Sequence, residues 1–280
     1  MKKIVTVLAV VFVLAAILTG CAATELNFGK KLVKTEDMIT ILTEISSGTA
    51  DVGIMDSIMA NYYMSQDTNY ADKLMLIDGL VLAEEEYGIA ARKAANSTIY
   101  NINKALVELK KNGSADEIAA RYGLTNDLII DEEYNAGENT ATDDDWSTIV
   151  TSGKIKIGYT VFAPIAYKDA DGNFIGFDID LAKAVAAYYG IEAQFVEIEW
   201  GKKEFELNSY NIDLIWNGMT ITDERKETMN ISIPYLMNNQ VAVIRKADKD
   251  KYTSTESMSD AIIAAESGSA GQSVVEKAKK

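Results

Sequence analysis

Between Asn126 and Asp145 the chain carries eight carboxylates and no lysine or arginine, mixed with Asn, Gly and Thr. A run of this kind repels itself and has too little apolar surface to pack, so it reads as an exposed linker between two patterned regions. Upstream, Leu32 to Ser46 suggests a short strand and then a helix, stopped by Ser46-Ser47-Gly48. Ala50 to Met55 reads as a buried strand ending at Asp56, where a helix through Ile58, Ala60 and Tyr62 begins. After a loop comes the strand Tyr87 to Ala91. The helix Ser97 to Lys111 follows, with Ile99, Ile102, Leu106 and Leu109 on one face. Gly113 ends that helix, and the capping-box pair Ser114 and Glu117 starts another that ends near Gly123.

Downstream, strand Lys154 to Tyr159, a turn at Asp169-Ala170-Asp171-Gly172 and helix Asp178 to Tyr189 come first. Strands Ala193 to Glu199 and Ile212 to Asn217 follow, then a helix from near Thr222 and a strand from Gln240 to Lys246. Asp260 to Lys280 holds a short apolar run, a small-residue turn and a last helix. Strands alternating with helices predict an α/β protein with mostly parallel sheets.

The first residues are of a different kind. Lys2 and Lys3 precede an apolar run from Ile4 to Leu18 broken only by Thr6, and Leu18-Thr19-Gly20-Cys21 follows. The run falls short of the ~20 residues of a membrane span and reads as an export signal, residues 1–20. Its end resembles the lipobox of bacterial lipoproteins, which implies that Cys21 carries a lipid. Cys21 is the only cysteine and there is no histidine, so no intramolecular disulfide and no histidine-based triad or zinc site can form. Loss of residues 1–20 lowers Lys+Arg from 27 to 25 against 42 Asp+Glu, a net charge of −17. That charge repels nucleic acid and anionic headgroups, so the expected membrane attachment is the lipid alone.

Several ordered motifs resemble the extracytoplasmic solute-binding proteins of amino-acid ABC transporters, the polar amino-acid class, family 3. Residues 154 to 246 resemble that family's amino-terminal portion. Its motifs here are Phe162-Ala163-Pro164-Ile165, Gly176-Phe177-Asp178-Ile179-Asp180, the stretch Ile212 to Arg225 and Pro234-Tyr235. Gly268-Ser269-Ala270-Gly271 matches a small-residue turn of the family's second lobe. Residues 47 to 123 resemble the carboxy-terminal half, through Ser47-Gly48-Thr49-Ala50-Asp51, Met55-Asp56, Tyr87-Gly88-Ile89-Ala90 and Ala120-Arg121-Tyr122-Gly123. The halves stand in reversed order and together make one copy. The resemblance therefore implies a two-lobed, type II periplasmic-binding-protein-like α/β fold, circularly permuted, in residues 21–280. Lobe 1 is expected from 92–125 and 146–237, lobe 2 from 25–87 and 242–280, with the acidic stretch 126–145 bridging the old termini.

A free amino acid offers a carboxylate and an ammonium, and a site that excludes water must pair both. By resemblance Arg225 is the carboxylate clamp, able to fork onto it; its other possible role is a surface ion pair with Asp223 or Glu227. Asp56, at the carboxyl end of a strand, can take the ammonium, and can also cap the helix that follows. Thr220 and the Gly218 carbonyl would bracket the ligand from one lobe, and the amides and hydroxyl at Ser269 and Ala270 would complete the carboxylate pocket from the other. Phe162 and Trp200 would form aromatic walls, and Asn217 could read the ligand's side chain. Tyr188 and Tyr189 are left to packing. Tyr159 to Ala163 lacks the carboxylate with which relatives choose cationic ligands, which favours a neutral polar amino acid.

Asp169 to Asp180 fails as a calcium loop because Phe174 stands where glycine is needed, and no cofactor or metal is expected. The expectation is a lipid-anchored, extracytoplasmic binding protein, not an enzyme, with an amino acid and a permease as partners and no nucleic acid. An extracytoplasmic amino-acid sensor is the alternative.

Overall fold

The computed structural model describes residues 26–66 and 68–276. The export segment 1–20 and Cys21 lie outside the described residues. In chain order the first part contains β1 (Lys31–Thr35), α1 (Met38–Ser47), β2 (Val52–Asp56), α2 (Ser57–Gln66), the short α3 (Thr68–Ala71), β3 (Leu74–Arg92), α4 (Asn96–Lys111) and α5 (Ser114–Arg121). The second part contains α6 (Asp145–Ser152), β4 (Lys154–Tyr159), β5 (Tyr167–Lys168), β6 (Phe174–Ile175), α7 (Phe177–Tyr188), β7 (Glu192–Glu197) and α8 (Lys203–Asn208). It continues with β8 (Leu214–Thr220), α9 (Asp223–Thr228), β9 (Met229–Ile231), β10 (Leu236–Arg245), β11 (Ile262–Glu266) and α10 (Ala270–Val275).

Eight strands lie in the order β1-β11-β2-β10-β3-β8-β4-β7, with β9 added against β3. The two ends of this sheet are parallel, β1 with β11, β11 with β2, and β4 with both β7 and β8. Its centre is antiparallel, because β10 runs against β2 and β3, and β3 runs against β8 and β9. The sheet is thus mixed rather than mostly parallel. β3 and β10 are long enough to run from one half of the sheet into the other, and a returning strand laid beside its outgoing partner pairs antiparallel.

β3 also corrects the expectation of a loop before Tyr87. The Asp78-Gly79 pair looks like a turn, yet Val81 pairs with Val241 and Leu76 with Val243. The residues between bulge out and the ladder resumes, as extra residues in one strand do at a bulge. The expected capping box at Ser114 does not form: Gly113 occupies the cap position, and Ser114 donates its amide to Asn112 Oδ1 at 2.9 Å.

Segments far apart in the chain build each half of the sheet. The parallel pairing of Leu32 with Ile263, and an antiparallel bridge between Leu26 and Glu276, bring the first and last described segments together. Ile41, Leu42 and Ile45 of α1 pack under this half, and Ile102 and Leu106 of α4 under the other, all fully buried. Burial of such side chains is worth roughly 1.5 to 3 kcal/mol each. The acidic stretch is irregular but tied at both ends. Ile130 is buried, the Ile129 amide donates to the Tyr235 carbonyl at 3.1 Å, and Asp143 accepts the Ser97 amide at 3.0 Å. No helix among the described residues is long and apolar enough to cross a membrane.

Candidate functional site

A narrow cleft opens where the crossing strands meet the carboxyl ends of the parallel strands. Open α/β sheets place ligands at such strand ends. All nine residues singled out from the sequence lie on its wall. Phe162, Trp200, Asn217, Gly218, Thr220 and Arg225 come from one half, and Asp56, Ser269 and Ala270 from the other. Thr160, Met38 and Glu266 also line it, and none of the three was expected.

Arg225 sits in the first turn of α9, whose cap Thr222 accepts the Arg225 amide at 3.1 Å. Its side chain is 9% exposed and turns inward. Nη1 donates to the Thr220 carbonyl at 2.6 Å and Nη2 to the Gly268 carbonyl, in the opposite half, at 3.2 Å. It pairs with neither Asp223, which faces Lys226, nor Glu227. Burial lowers its pKa, while Glu85 and Asp56 oppose that shift, and a guanidinium keeps its charge regardless.

Asp56 does not cap α2. Asn238, from β10, does so instead: its Oδ1 accepts from the Ser57 hydroxyl at 3.1 Å and the Ile58 amide at 3.4 Å. Asp56 Oδ1 takes the Asn238 amide and, at 2.6 Å, Gln240 Nε2. Glu85 lies beside it and accepts from Thr220 Oγ1 at 3.2 Å, Asn238 Nδ2 at 3.1 Å and Gln240 Nε2 at 3.0 Å. Residues 238 and 240 share one face of β10, so the period of two aims both amides at the two carboxylates. Burial, reinforced by the Glu85 charge, raises the Asp56 pKa well above the usual carboxylate range, and burial raises that of Glu85.

The turn after β11 supplies the other wall. The Ser269 hydroxyl accepts the Gln272 amide at 3.1 Å as the cap of α10, and the Ser269 amide donates to the Glu266 carbonyl at 3.2 Å. The hydroxyl proton and the Ala270 amide are therefore the donors this turn can offer a ligand, while the Ser269 amide is engaged. Gly268, at φ +74°, presents its carbonyl to both Arg225 and Lys203, the latter at 3.1 Å. Lys203 also donates to the Trp200 carbonyl at 3.2 Å, and burial lowers its pKa to about 8. Burial pushes Glu266 up to about 8, against the pull of Lys203.

Below the cleft Asp178 is fully enclosed and accepts the Gly218 amide and the Tyr235 hydroxyl, each at 2.8 Å. Burial raises its pKa to about 7. Gly218 has φ +59°, and a Cβ there would lie 2.7 Å from the Phe162 ring, so glycine lets the backbone approach the aromatic wall. Asn217 donates to Thr160 Oγ1 at 2.8 Å and keeps a buried Oδ1 without a partner. Tyr189 packs on Trp146 with ring centroids 4.6 Å apart, away from the cleft wall. Among the described residues there is no cluster of acidic side chains suited to a metal ion.

Part of the chain matches known proteins. The bacterial extracellular solute-binding proteins, family 3, match residues 155–278. A probable histidine-binding protein of Neisseria gonorrhoeae is 38% identical over 88 residues, 31% of this chain and 33% of that protein. Cyclohexadienyl dehydratase of Pseudomonas aeruginosa is 25% identical over 109 residues, 39% of this chain and 41% of that enzyme. The crystal structure of the arginine-bound form of domain 1 from TmArgBP is 34% identical, with coverage of 37% of this chain and 88% of that one, at a TM-score of 0.31. The matches thus span about a third to two fifths of the length of these curated relatives. Residues 155–278 of this mixed α/β chain thus match the bacterial extracellular solute-binding proteins, family 3.

Proposed function

We propose that this protein is the lipid-anchored, extracytoplasmic substrate-binding component of an amino-acid ABC transporter. It captures a free amino acid between two lobes and hands it to the permease. One observation carries the reading: a buried guanidinium, Arg225, and a buried carboxylate, Asp56, from opposite halves of the sheet, line one cleft with Phe162 and Trp200. A zwitterion needs both charges at once, and flat rings exclude water without competing for its hydrogen bonds. Because contacts come from both halves, only the closed arrangement makes all of them, and the ligand favours that arrangement by the difference. Binding is the function in this reading, and no step of chemistry is assigned to the cleft.

The chain is further proposed to be a circular permutant, with lobe 1 in residues 92–125 and 146–237, lobe 2 in 25–87 and 242–280, and 126–145 as the bridge. Pairing of β1 with β11 supports this, since the first and last segments build the same half. Cys21 would then hold lobe 2 to the membrane through a few residues. Tyr159 to Ala163 offers a ligand side chain no carboxylate, which taken alone favours a neutral polar amino acid.

The test is thermal unfolding of the full-length protein in mild detergent against each of the twenty amino acids. A ligand at about 1,000 times its Kd adds about 4 kcal/mol, a rise of roughly 8 °C or more for a domain of this size. A transition that no amino acid moves would sink the proposal.

A further inference from the structure

Two buried carboxylates, Asp56 and Glu266, and one buried cation, Arg225, line the cleft, and Glu85 and Lys203 are buried behind them. Asp56 and Glu85 are served by the amides of Asn238 and Gln240, and Glu85 by Thr220 as well. Glu266 differs from both. It lines the cleft at 4% exposure, and among the described residues its carboxylate takes part in no hydrogen bond and no close ion pair. The nearby cations are turned elsewhere, Lys203 to the carbonyls of Trp200 and Gly268, and Arg225 to those of Thr220 and Gly268.

A buried carboxylate in this state is costly until a partner reaches it, and the low-dielectric surroundings that penalise the bare charge strengthen its pairing once made. The carboxylate and ammonium of a bound amino acid are met by Arg225 and Asp56, so a ligand with a neutral side chain leaves the Glu266 carboxyl without a partner. A ligand with one more positive group supplies that partner and favours the ionised form of the carboxyl.

We infer that Glu266 determines the specificity of this cleft and that its ligand is an amino acid with a cationic side chain, a guanidinium or an ammonium. The inference rests on the amino-acid reading above and replaces the neutral polar ligand favoured by Tyr159 to Ala163 alone. The carboxylate lies at the end of β11, in the half that carries Asp56 and Ser269, so the charged tip is read from that wall, while Phe162 and Trp200 cover the aliphatic stem.

Titration calorimetry of the full-length protein in mild detergent tests this with arginine and its neutral isostere citrulline, and with lysine and glutamine. A cationic amino acid binds at least about 30-fold tighter than its neutral counterpart, the size expected of a hydrogen bond between charged groups. Glu266→Gln weakens the cationic ligand at least about 30-fold and changes citrulline or glutamine less than about 3-fold, which also reports that the variant is folded. Equal binding of the neutral partner by the natural protein, or intact discrimination in Glu266→Gln, overturns the inference and leaves the amino-acid reading standing. No binding by any of the twenty amino acids overturns both.

Discussion

Arg225 holds two carbonyls from opposite halves of the sheet, Thr220 and Gly268, and that double engagement fixes what its loss should do. Arg225→Ala removes the charge that would meet a ligand carboxylate and strips the Thr220 carbonyl of this donor, while the Gly268 carbonyl keeps Lys203. Affinity for the ligand found by thermal shift should fall at least about 100-fold in calorimetry, and stability by about 1 to 3 kcal/mol in urea. Retained affinity would remove Arg225 from the role of clamp. The buried carboxyls give a signature in pH. Asp178, pushed up to about 7, and Glu266, pushed up to about 8, both titrate higher in the folded protein than the ~4 of a free carboxyl. Between those values the native state binds more protons than the unfolded one, so their stabilising contribution, complete below about pH 4, is lost as pH rises to about 8. Lys203, lowered to about 8, acts in the other sense, because its buried charge is shed above that pH while the unfolded lysine keeps its own. The melting temperature of the ligand-free protein should therefore drop from pH 5 to pH 8. Asp178→Asn should flatten the part of that drop below pH 7, and an unchanged slope would show that Asp178 does not carry it.

At the level of elements, the hydrogen bonds that start α2 and α4 come from residues far along the chain. Asn238, a strand residue 181 positions from Ser57, accepts at the start of α2 and donates to Asp56 and Glu85. Asn238→Ala should cost about 2 to 4 kcal/mol in urea unfolding, beyond an ordinary cap, because it strips a helix start and two carboxylates together. A loss under 1 kcal/mol would mean that water replaces it. Asp143 caps α4 in the same remote way, through the Ser97 amide at 3.0 Å. These caps were illegible in the sequence because capping rules look at neighbours in the chain. The Ser114-Glu117 pair fits the local rule and was passed over for Gly113, whose φ of +82° ends one helix and begins the next. Asp78-Gly79 carries turn chemistry and predicts a loop before a short strand, whereas in β3 the pairing with β10 resumes past the bulge. Where local signals agreed with tertiary pairing, as in α1 with its αL cap at Gly48, the boundaries fell within a few residues of those expected.

For the molecule as a whole, the first and last described segments share one half of the sheet, and the stretch 126–145 runs along the other. If that stretch bridges former termini, deleting residues 129–144 should prevent one chain from closing on itself. Light scattering should then show dimers or an expanded monomer, and an unaltered compact monomer would count against the bridging role. Sequence alone determined the alternation of strands and helices, the breaks at Gly48 and Gly113, and nine of the residues that line the cleft. Those follow from local periodicity and from ordered motifs that are each only a few residues long. Tertiary structure decided the antiparallel centre, the remote caps and the isolation of Glu266. Each depends on which distant strand arrives alongside, and on whether a buried charge meets a partner there, a matter settled by the packing of the two halves.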